Sequence, residues 1–295
     1  MGKQKKKNSL KWGILFTSPA ILGFLIFTIG PMIASLILSF TDYRVTNDPQ
    51  FVGLKNYVTF LSGEDHFFWQ SMKVTFVYVL VSVPASIVYT FVIALMLNAQ
   101  VRGLTVFRTV FYIPSLLPVM ATSIIWSWLF NPDFGLFNMI LKKLHLPVSQ
   151  WIYDEKTVIP SLVMMSLWTA GNTILIFLAG LQDVPRALYE AIEVDGGGYL
   201  HKLWYITLPT MTPTIFFNLV MAVINGFQTF TQAYVMTEGG PNNASLFYSY
   251  YLWREAFQNR NMAGGCALAW ILFLVILFFT LILFKDQRKW VTYDR

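Results

Sequence analysis

Six long apolar stretches, near residues 13–40, 74–97, 108–130, 157–181, 210–234 and 263–284, set the narrowest limit on what this chain can fold into. A helix rises 1.5 Å per residue, so about 20 apolar residues cross a bilayer's hydrocarbon core. Each stretch meets that length. The expected fold class is therefore all-α, a polytopic membrane protein with six transmembrane helices. Composition agrees: 56% of the 295 residues are hydrophobic and 12% are charged, about half the charged share of a soluble domain. That much apolar surface also excludes a disordered chain. Pro19, Pro31, Pro84, Pro114 and Pro118 fall inside these stretches, which membrane helices tolerate when neighbours satisfy the freed carbonyls.

The N-terminal MGKQKKKNSLKW is strongly basic and precedes an apolar run from Trp12 to Phe40. That run exceeds a signal-peptide core of about 7–15 residues and has no A-x-A closure, so it reads as a retained first span. With the N-terminus inside, the inner segments hold Lys3, Lys5, Lys6, Lys7, Lys11, Arg102, Arg108, Arg186, Lys202, Lys285, Arg288, Lys289 and Arg295. The outer ones hold Arg44, Lys55, Lys73, Lys142, Lys143, Lys156, Arg254 and Arg260, which makes 13 inside against 8 outside of 21 in all. The excess places both termini in the cytoplasm. The net charge of +6 thus reports membrane orientation and not nucleic-acid binding. Lys73, Arg108 and Lys285 lie near span ends, where long side chains snorkel. No carboxylate or arginine stands at membrane depth to couple transport to an ion gradient. His66, His145 and His201 are scattered, and the single Cys266 lies in an apolar run. Neither a metal site nor a disulfide is expected.

Between Gln182 and Pro209 the chain stops behaving like a loop. In QDVPRALYEAIEVDGGGYLHKLWYITLP, Asp183 suits a helix cap and Pro185 a first turn. Val184, Leu188, Ala191 and Ile192 recur at helical spacing, with Arg186, Glu190 and Glu193 opposite. Gly196, Gly197 and Gly198 stop the helix, because glycine adopts left-handed geometry cheaply. A second short segment, Tyr199 to Ile206, leads into Leu208-Pro209 and the fifth span. Glu193 and Asp195 stand at the helix's carboxyl end, where the dipole disfavours them by about 0.3–1 kcal/mol. Asp183, Glu190, Glu193 and Asp195 outnumber Arg186 and Lys202, so this is the one net-negative cytoplasmic segment. An interfacial helix would carry Lys and Arg to meet anionic lipid. An acidic one points instead to a basic protein partner docking from the cytoplasm.

The same residues resemble a known family. Glu190-Ala191-Ile192, three residues, Gly196, nine residues and Ile206-Thr207-Leu208-Pro209 keep every spacing of the E-A-A…G…I-x-L-P pattern. That pattern marks membrane subunits of binding-protein-dependent ABC importers. Only Ile192, on the apolar face, departs from it. The resemblance implies a type I importer permease fold and a coupling helix seated in a groove of an ATPase. Arg186, Glu190, Ala191, Glu193, Asp195, Gly196, Leu208 and Pro209 would be its coupling residues, with Glu190 paired to a basic residue of the ATPase. Closure of two ATPases would move both coupling helices and reorient the cavity. No G-x-x-x-x-G-K-[ST] loop occurs in the chain, so hydrolysis belongs to a separate polypeptide. The chain is then no enzyme and binds no cofactor itself. ATP and Mg sit on the partner.

Ser39-Phe40-Thr41-Asp42, Phe51-Val52-Gly53-Leu54-Lys55-Asn56-Tyr57 and Thr237-Glu238-Gly239-Gly240-Pro241 are similar to the sugar branch, the maltose-type permeases. Asn225, Gln228, Thr229 and Gln232 fall at i, i+3, i+4 and i+7, a polar stripe on the fifth span, and Trp168, Thr169 and Asn172 lie on the fourth. Amides, hydroxyls and flat aromatic faces suit an uncharged polyhydroxyl ligand. The resemblance places Thr169, Asn172, Asn225, Gln228 and Thr229 at the sugar site.

The resulting organisation is a basic cytoplasmic tail (1–12), a first span (13–40), an outer segment (41–72), a five-helix core (73–285) holding the coupling segment 182–209, and a cytoplasmic tail (286–295). The chain would work in the cytoplasmic membrane beside a second, related permease, two ATP-binding subunits and an extracytoplasmic solute-binding protein. That protein would touch segments 41–72, 131–156 and 235–262. A permease for another solute is the alternative, followed by a gradient-driven carrier. A membrane-bound glycosyltransferase would need a carboxylate or His constellation, whose best candidates the docking segment already absorbs.

Overall fold

A computed structural model describes residues 2–99 and 103–292, with side chains from residue 12 onward. The basic residues Lys3, Lys5, Lys6, Lys7 and Lys11, with Arg102 and Arg295, lie outside the described side chains. The described residues are helical apart from turns, connecting segments and one isolated bridge between Thr41 and Phe51. In chain order the helices are α1 (Gly2–Phe24), α2 (Gly30–Ser39), α3 (Lys55–Leu61), α4 (His66–Leu97), α5 (Leu104–Tyr112), α6 (Val119–Leu129) and α7 (Leu136–Lys143). There follow α8 (Val158–Trp168), α9 (Gly171–Gln182), α10 (Arg186–Val194), α11 (Tyr199–Lys202), α12 (Leu208–Phe227), α13 (Tyr248–Trp253) and α14 (Met262–Trp290).

Among the described residues, four continuous helices are long and apolar enough to cross a membrane: Trp12–Ser39, His66–Leu97, Tyr199–Phe227 and Met262–Trp290. The third and fourth expected spans are bent pairs instead, which brings the number to six if each pair is one span. Leu104–Leu116 meets Val119–Leu129 at 103°, and α8 meets α9 at 52°. Proline explains the first break. Leu117 precedes Pro118 and is driven to an extended conformation (φ −76°, ψ 138°), which no helix can pass through. Two others, Pro31 and Pro209, are absorbed by widening the helix. Single π turns, Leu25–Ile29 and Leu203–Thr207, stand just before Gly30-Pro31 and Leu208-Pro209. There the amide ahead of the proline bonds five residues back, Gly30 to Leu25 and Leu208 to Leu203. The helix thus continues past a residue with no N–H to give.

Contacts divide the chain into two compact units. The first holds residues up to Asp65 with Leu252–Ile271. In it, the stretches Ser39–Asp42 and Phe51–Tyr57 are tied together by side-chain hydrogen bonds. Asn56 Nδ2 donates to the carbonyls of Ser39 (2.8 Å) and Thr41 (2.7 Å), and Tyr57 bonds Ser39 Oγ at 2.7 Å. The Trp270 indole donates to Ser35 Oγ at 3.2 Å. The most apolar window of Trp12–Ser39 has no buried residue.

The second unit comprises His66–Tyr251 and the remainder of α14. Here α4 packs against α8, α9 and α12. Ala94, Ile174, Phe177, Leu178 and Met211 form part of its buried core. In lipid such packing is held by close fit and not by expulsion of water, so small residues matter at crossings. A Cβ on Gly180 of α9 would lie 2.9 Å from Thr214 Oγ1 and 3.0 Å from Met211 of α12. On α7, Asn138 is fully enclosed. It donates to the carbonyls of Pro132 and Ser149 and accepts from the Trp151 indole, at 2.8–2.9 Å. Phe130 and Phe137 lie tilted against Trp151, and Trp126 lies tilted against both of them, ring centres 5.1–5.6 Å apart.

Candidate functional site

A cavity of 380 Å³ opens between α4, α8, α9 and α12 of the second unit. Tyr78, Ser82 and Ser86 face it from α4, Ser166 and Thr169 from the end of α8, Thr173 from α9, and Asn218 and Asn225 from α12. Thr229 and Gln232, just past α12, complete the polar wall. Among the described residues, no ionisable carboxylate, amine, guanidinium or imidazole lines it.

Three wall hydroxyls have their protons committed to their own backbone. Ser166 donates to Val163 O (2.7 Å), Thr169 to Ser166 O (3.0 Å) and Thr229 to Asn225 O (3.4 Å). What they offer a ligand is lone pairs. The Tyr78 hydroxyl sits among those of Ser166, Thr229 and Ser82. Gln232 Oε1 is buried and has no hydrogen-bond partner among the described residues. An unpaired buried acceptor costs about 1–3 kcal/mol. The wall therefore favours an occupant that donates several hydrogen bonds and carries no charge needing compensation.

Thr169, Asn225, Thr229 and Gln232, all anticipated from sequence, come together in this wall. Trp168, Asn172 and Gln228 stand apart from it and are exposed. The reason is a broken helical register in both places. Helix α12 ends at Phe227 and Gln228 is its C-cap, so the i to i+7 stripe does not run along one helix. The 52° break after Trp168 likewise separates Thr169 from Asn172. Trp168 instead packs edge-on against Trp126, ring centres 5.7 Å apart. Tyr78, Ser82, Ser86, Ser166, Thr173 and Asn218 were not anticipated. Tyr78, Ser82 and Ser86 recur every four residues, a stripe as regular as the one on the fifth span.

At the other candidate site, α10 occupies Arg186–Val194. Its N-cap is Pro185, with no side-chain cap, and Asp183 is instead the C-cap residue of α9. The expected capping by Asp183 is thus replaced by a turn from α9 into Pro185. The apolar face is also rotated from the expected one. Val184 is buried, and Tyr189 and Ile192 pack on the core beside it, while Leu188 and Ala191 are exposed. The glycine stop is as expected, and each glycine has its own part. The Gly197 amide bonds Ile192 O (2.8 Å) and the Gly196 amide bonds Glu193 O (3.1 Å), the paired closure of a Schellman end. Gly196 adopts φ +79°, and a Cβ on Gly197 would lie 2.3 Å from Ile192 Cγ2. Gly198 meets nothing within 4 Å.

Arg186, Glu190, Ala191, Glu193, Asp195 and Gly196 are all exposed, and Leu208 and Pro209 are half-buried in the first turn of α12. The carboxylates are not equivalent. Glu193 pairs with Lys202, whereas Glu190 and Asp195 have no side-chain partner among the described residues. The Glu193–Lys202 pair also accounts for an acidic residue at the unfavourable end of a helix. No group of three or more His, Cys, Asp or Glu among the described residues could hold a metal ion.

Residues 86–286 match the family described as binding-protein-dependent transport system inner membrane component. The chain is 41% identical over 288 residues to the probable ABC transporter permease protein YesP of Bacillus subtilis (strain 168), covering 96% of this chain and 92% of that one. It is 34% identical to the arabinooligosaccharides transport system permease protein AraP of the same organism, over 92% and 87% of the two chains. Its fold matches a chain of a bacterial ABC transporter involved in the import of the acidic polysaccharide alginate, at TM-score 0.83 and 22% identity, covering 97% and 98%. With most of the family pattern inside its helical core and relatives this close along nearly its whole length, the chain belongs to the inner-membrane permease components of binding-protein-dependent transport systems.

Proposed function

We propose that this permease is one of two membrane-spanning subunits of an ATP-driven importer that moves a sugar or oligosaccharide across the cytoplasmic membrane by alternating access. The cavity carries the reading. Its uncharged wall of hydroxyls and amides matches a ligand that is neutral and rich in hydroxyl groups. Asn225 and Gln232 amides can donate in return, and Ser166, Thr169 and Thr229 accept. That a relative is named for arabinooligosaccharides supports the same substrate class.

Both termini face the cytoplasm in this reading, as the distribution of Lys and Arg favours. Residues 182–209 then lie inside, where exposed, unpartnered Glu190 can pair with a basic residue of an ATPase. A second, related permease joins this one, two ATP-binding subunits dock below, and a solute-binding protein delivers substrate outside. The first span, with no buried residue in its most apolar window, has its surface free for lipid or for a helix of the partner permease.

The test is co-purification of the chain with its subunits, followed by uptake of labelled saccharides in proteoliposomes. Glu190→Lys should release the ATPase and abolish uptake while the permease remains folded. Normal uptake by that variant would remove the docking assignment. Failure of every saccharide to be taken up, or to compete, by an otherwise active importer would remove the sugar.

A further inference from the structure

Helix α10 and the fifth span are joined by a closed set of polar contacts that none of the features above requires. The Tyr189 hydroxyl lies 3.0 Å from Thr207 Oγ1. Thr207 in turn donates to Lys202 O at 3.2 Å, which leaves it the acceptor from Tyr189. The Lys202 ammonium returns to α10 and pairs with Glu193. Tyr189 and Glu193 are four residues apart, so they share a face of α10. Lys202 and Thr207 are five apart, which an α-helix would set on different faces. The π turn Leu203–Thr207 brings them into register, and its closing bond runs from the Leu208 amide to Leu203 O.

We propose that this bracket, Tyr189–Thr207 and Glu193–Lys202 aligned by the π turn, makes α10 and the fifth span move as one body during transport. Tyr189, Glu193, Lys202 and Thr207 are thus positioning residues that act on the cavity through α12. The proposal rests on the reading of residues 182–209 as the ATPase-docking segment and adds the means by which motion leaves it. Magnitudes favour a mechanical role over a stabilising one. Glu193 is 60% exposed and Lys202 24%, and exposed pairs add about 0–1 kcal/mol at most. What the two contacts supply together is a fixed orientation, with one pin at each end of a helical turn. The helix they grip continues without interruption to Asn218 and Asn225 in the cavity wall. A displacement of α10 is then carried to the substrate.

The experiment uses the complete importer in proteoliposomes and reads substrate taken up per ATP hydrolysed. Tyr189→Phe with Thr207→Val removes the hydroxyl pin and keeps the side-chain shapes. The ATPase should stay bound and hydrolysis should stay within about twofold, while uptake per ATP falls about tenfold, the scale of one or two net hydrogen bonds. Glu193→Lys should lower the ratio too, and adding Lys202→Glu should restore it, which a general loss of stability would not allow. Tyr189→Phe alone serves if the double variant is poorly assembled. An unchanged ratio in Tyr189→Phe and in Glu193→Lys overturns the bracket. If Glu190→Lys still releases the ATPase in that case, docking stands without it. If instead Glu190→Lys leaves the ATPase bound while the bracket variants lower the ratio, the docking reading falls and the bracket stands.

Discussion

Between Asp183 and Pro209 the polar contacts are made by neighbours in the chain: a Schellman end by Gly196 and Gly197, an ion pair across nine residues, a hydroxyl bond across eighteen. The cavity wall runs from Tyr78 to Gln232 and exists only where α4, α8, α9 and α12 meet. One region is charged and exposed, the other neutral and walled by four helices. A segment organised by its neighbours can be displaced as a unit without being rebuilt, which suits docking. A cavity assembled from distant helices changes shape whenever any of them moves, which suits a site that must bind and then release.

The contrast can be broken from either side. The largest effect should come from Glu190→Lys, which leaves every local contact of α10 intact and should still abolish uptake with loss of the co-purified ATPase. Gly197→Val comes next. Its Cβ would stand 2.3 Å from Ile192 Cγ2, and overpacking of this kind costs about 1–3 kcal/mol. Uptake should fall at least about fivefold for such a cost. Gly198→Ala, one residue on and open on all sides, should leave uptake unchanged.

In the cavity the effects should be smaller and depend on the ligand. Gln232→Ala removes an unpaired buried acceptor, so thermal unfolding of the substrate-free permease should not shift downward. The saccharide concentration for half-maximal uptake should rise about fivefold, the scale of one net hydrogen bond. Asn225→Ala should weaken uptake similarly, and Gln228→Ala should not, since Gln228 faces away from the wall. A downward shift in Gln232→Ala with unchanged uptake would make that side chain structural. The smallest effect is expected from Ile192→Val, about 0.5–1.5 kcal/mol in unfolding, with ATPase binding retained.

Legibility in the sequence followed the same division. The number and rough limits of the spans are set by length and hydropathy alone, and the glycine stop by backbone conformation alone. Both could be read residue by residue. The rotation of α10 could not, because Tyr189 turns inward to reach Thr207 and the core, and Leu188 is left outside. Helical spacing groups Trp168, Asn172 and Gln228 with the cavity only where the helices run unbroken, and for Asn172 and Gln228 the family resemblance points the same way. The break after Pro118's neighbour Leu117 had a proline to announce it. Those at Thr169 and Phe227 had none. Ser166 and Asn218 look like ordinary interior polar residues until α8 and α12 are placed on opposite sides of the same space.

The π turn before Leu208-Pro209 also has a meaning in terms of chain length. Leu203–Thr207 holds one residue more than α-helical winding would use, and each residue of an α-helix turns the chain by about 100°. Deleting a single residue there would let the helix relax to ordinary winding. Because the wide turn already absorbs the extra residue, Lys202 and Thr207 would then stand four apart on one face, and Asn218 and Asn225 would keep their bearing on the cavity. An insertion elsewhere in Tyr199–Phe227, with no wide turn to take it up, would instead swing everything beyond it by about 100°. Loss of one residue within Leu203–Thr207 should therefore be tolerated far better than gain of one beyond it.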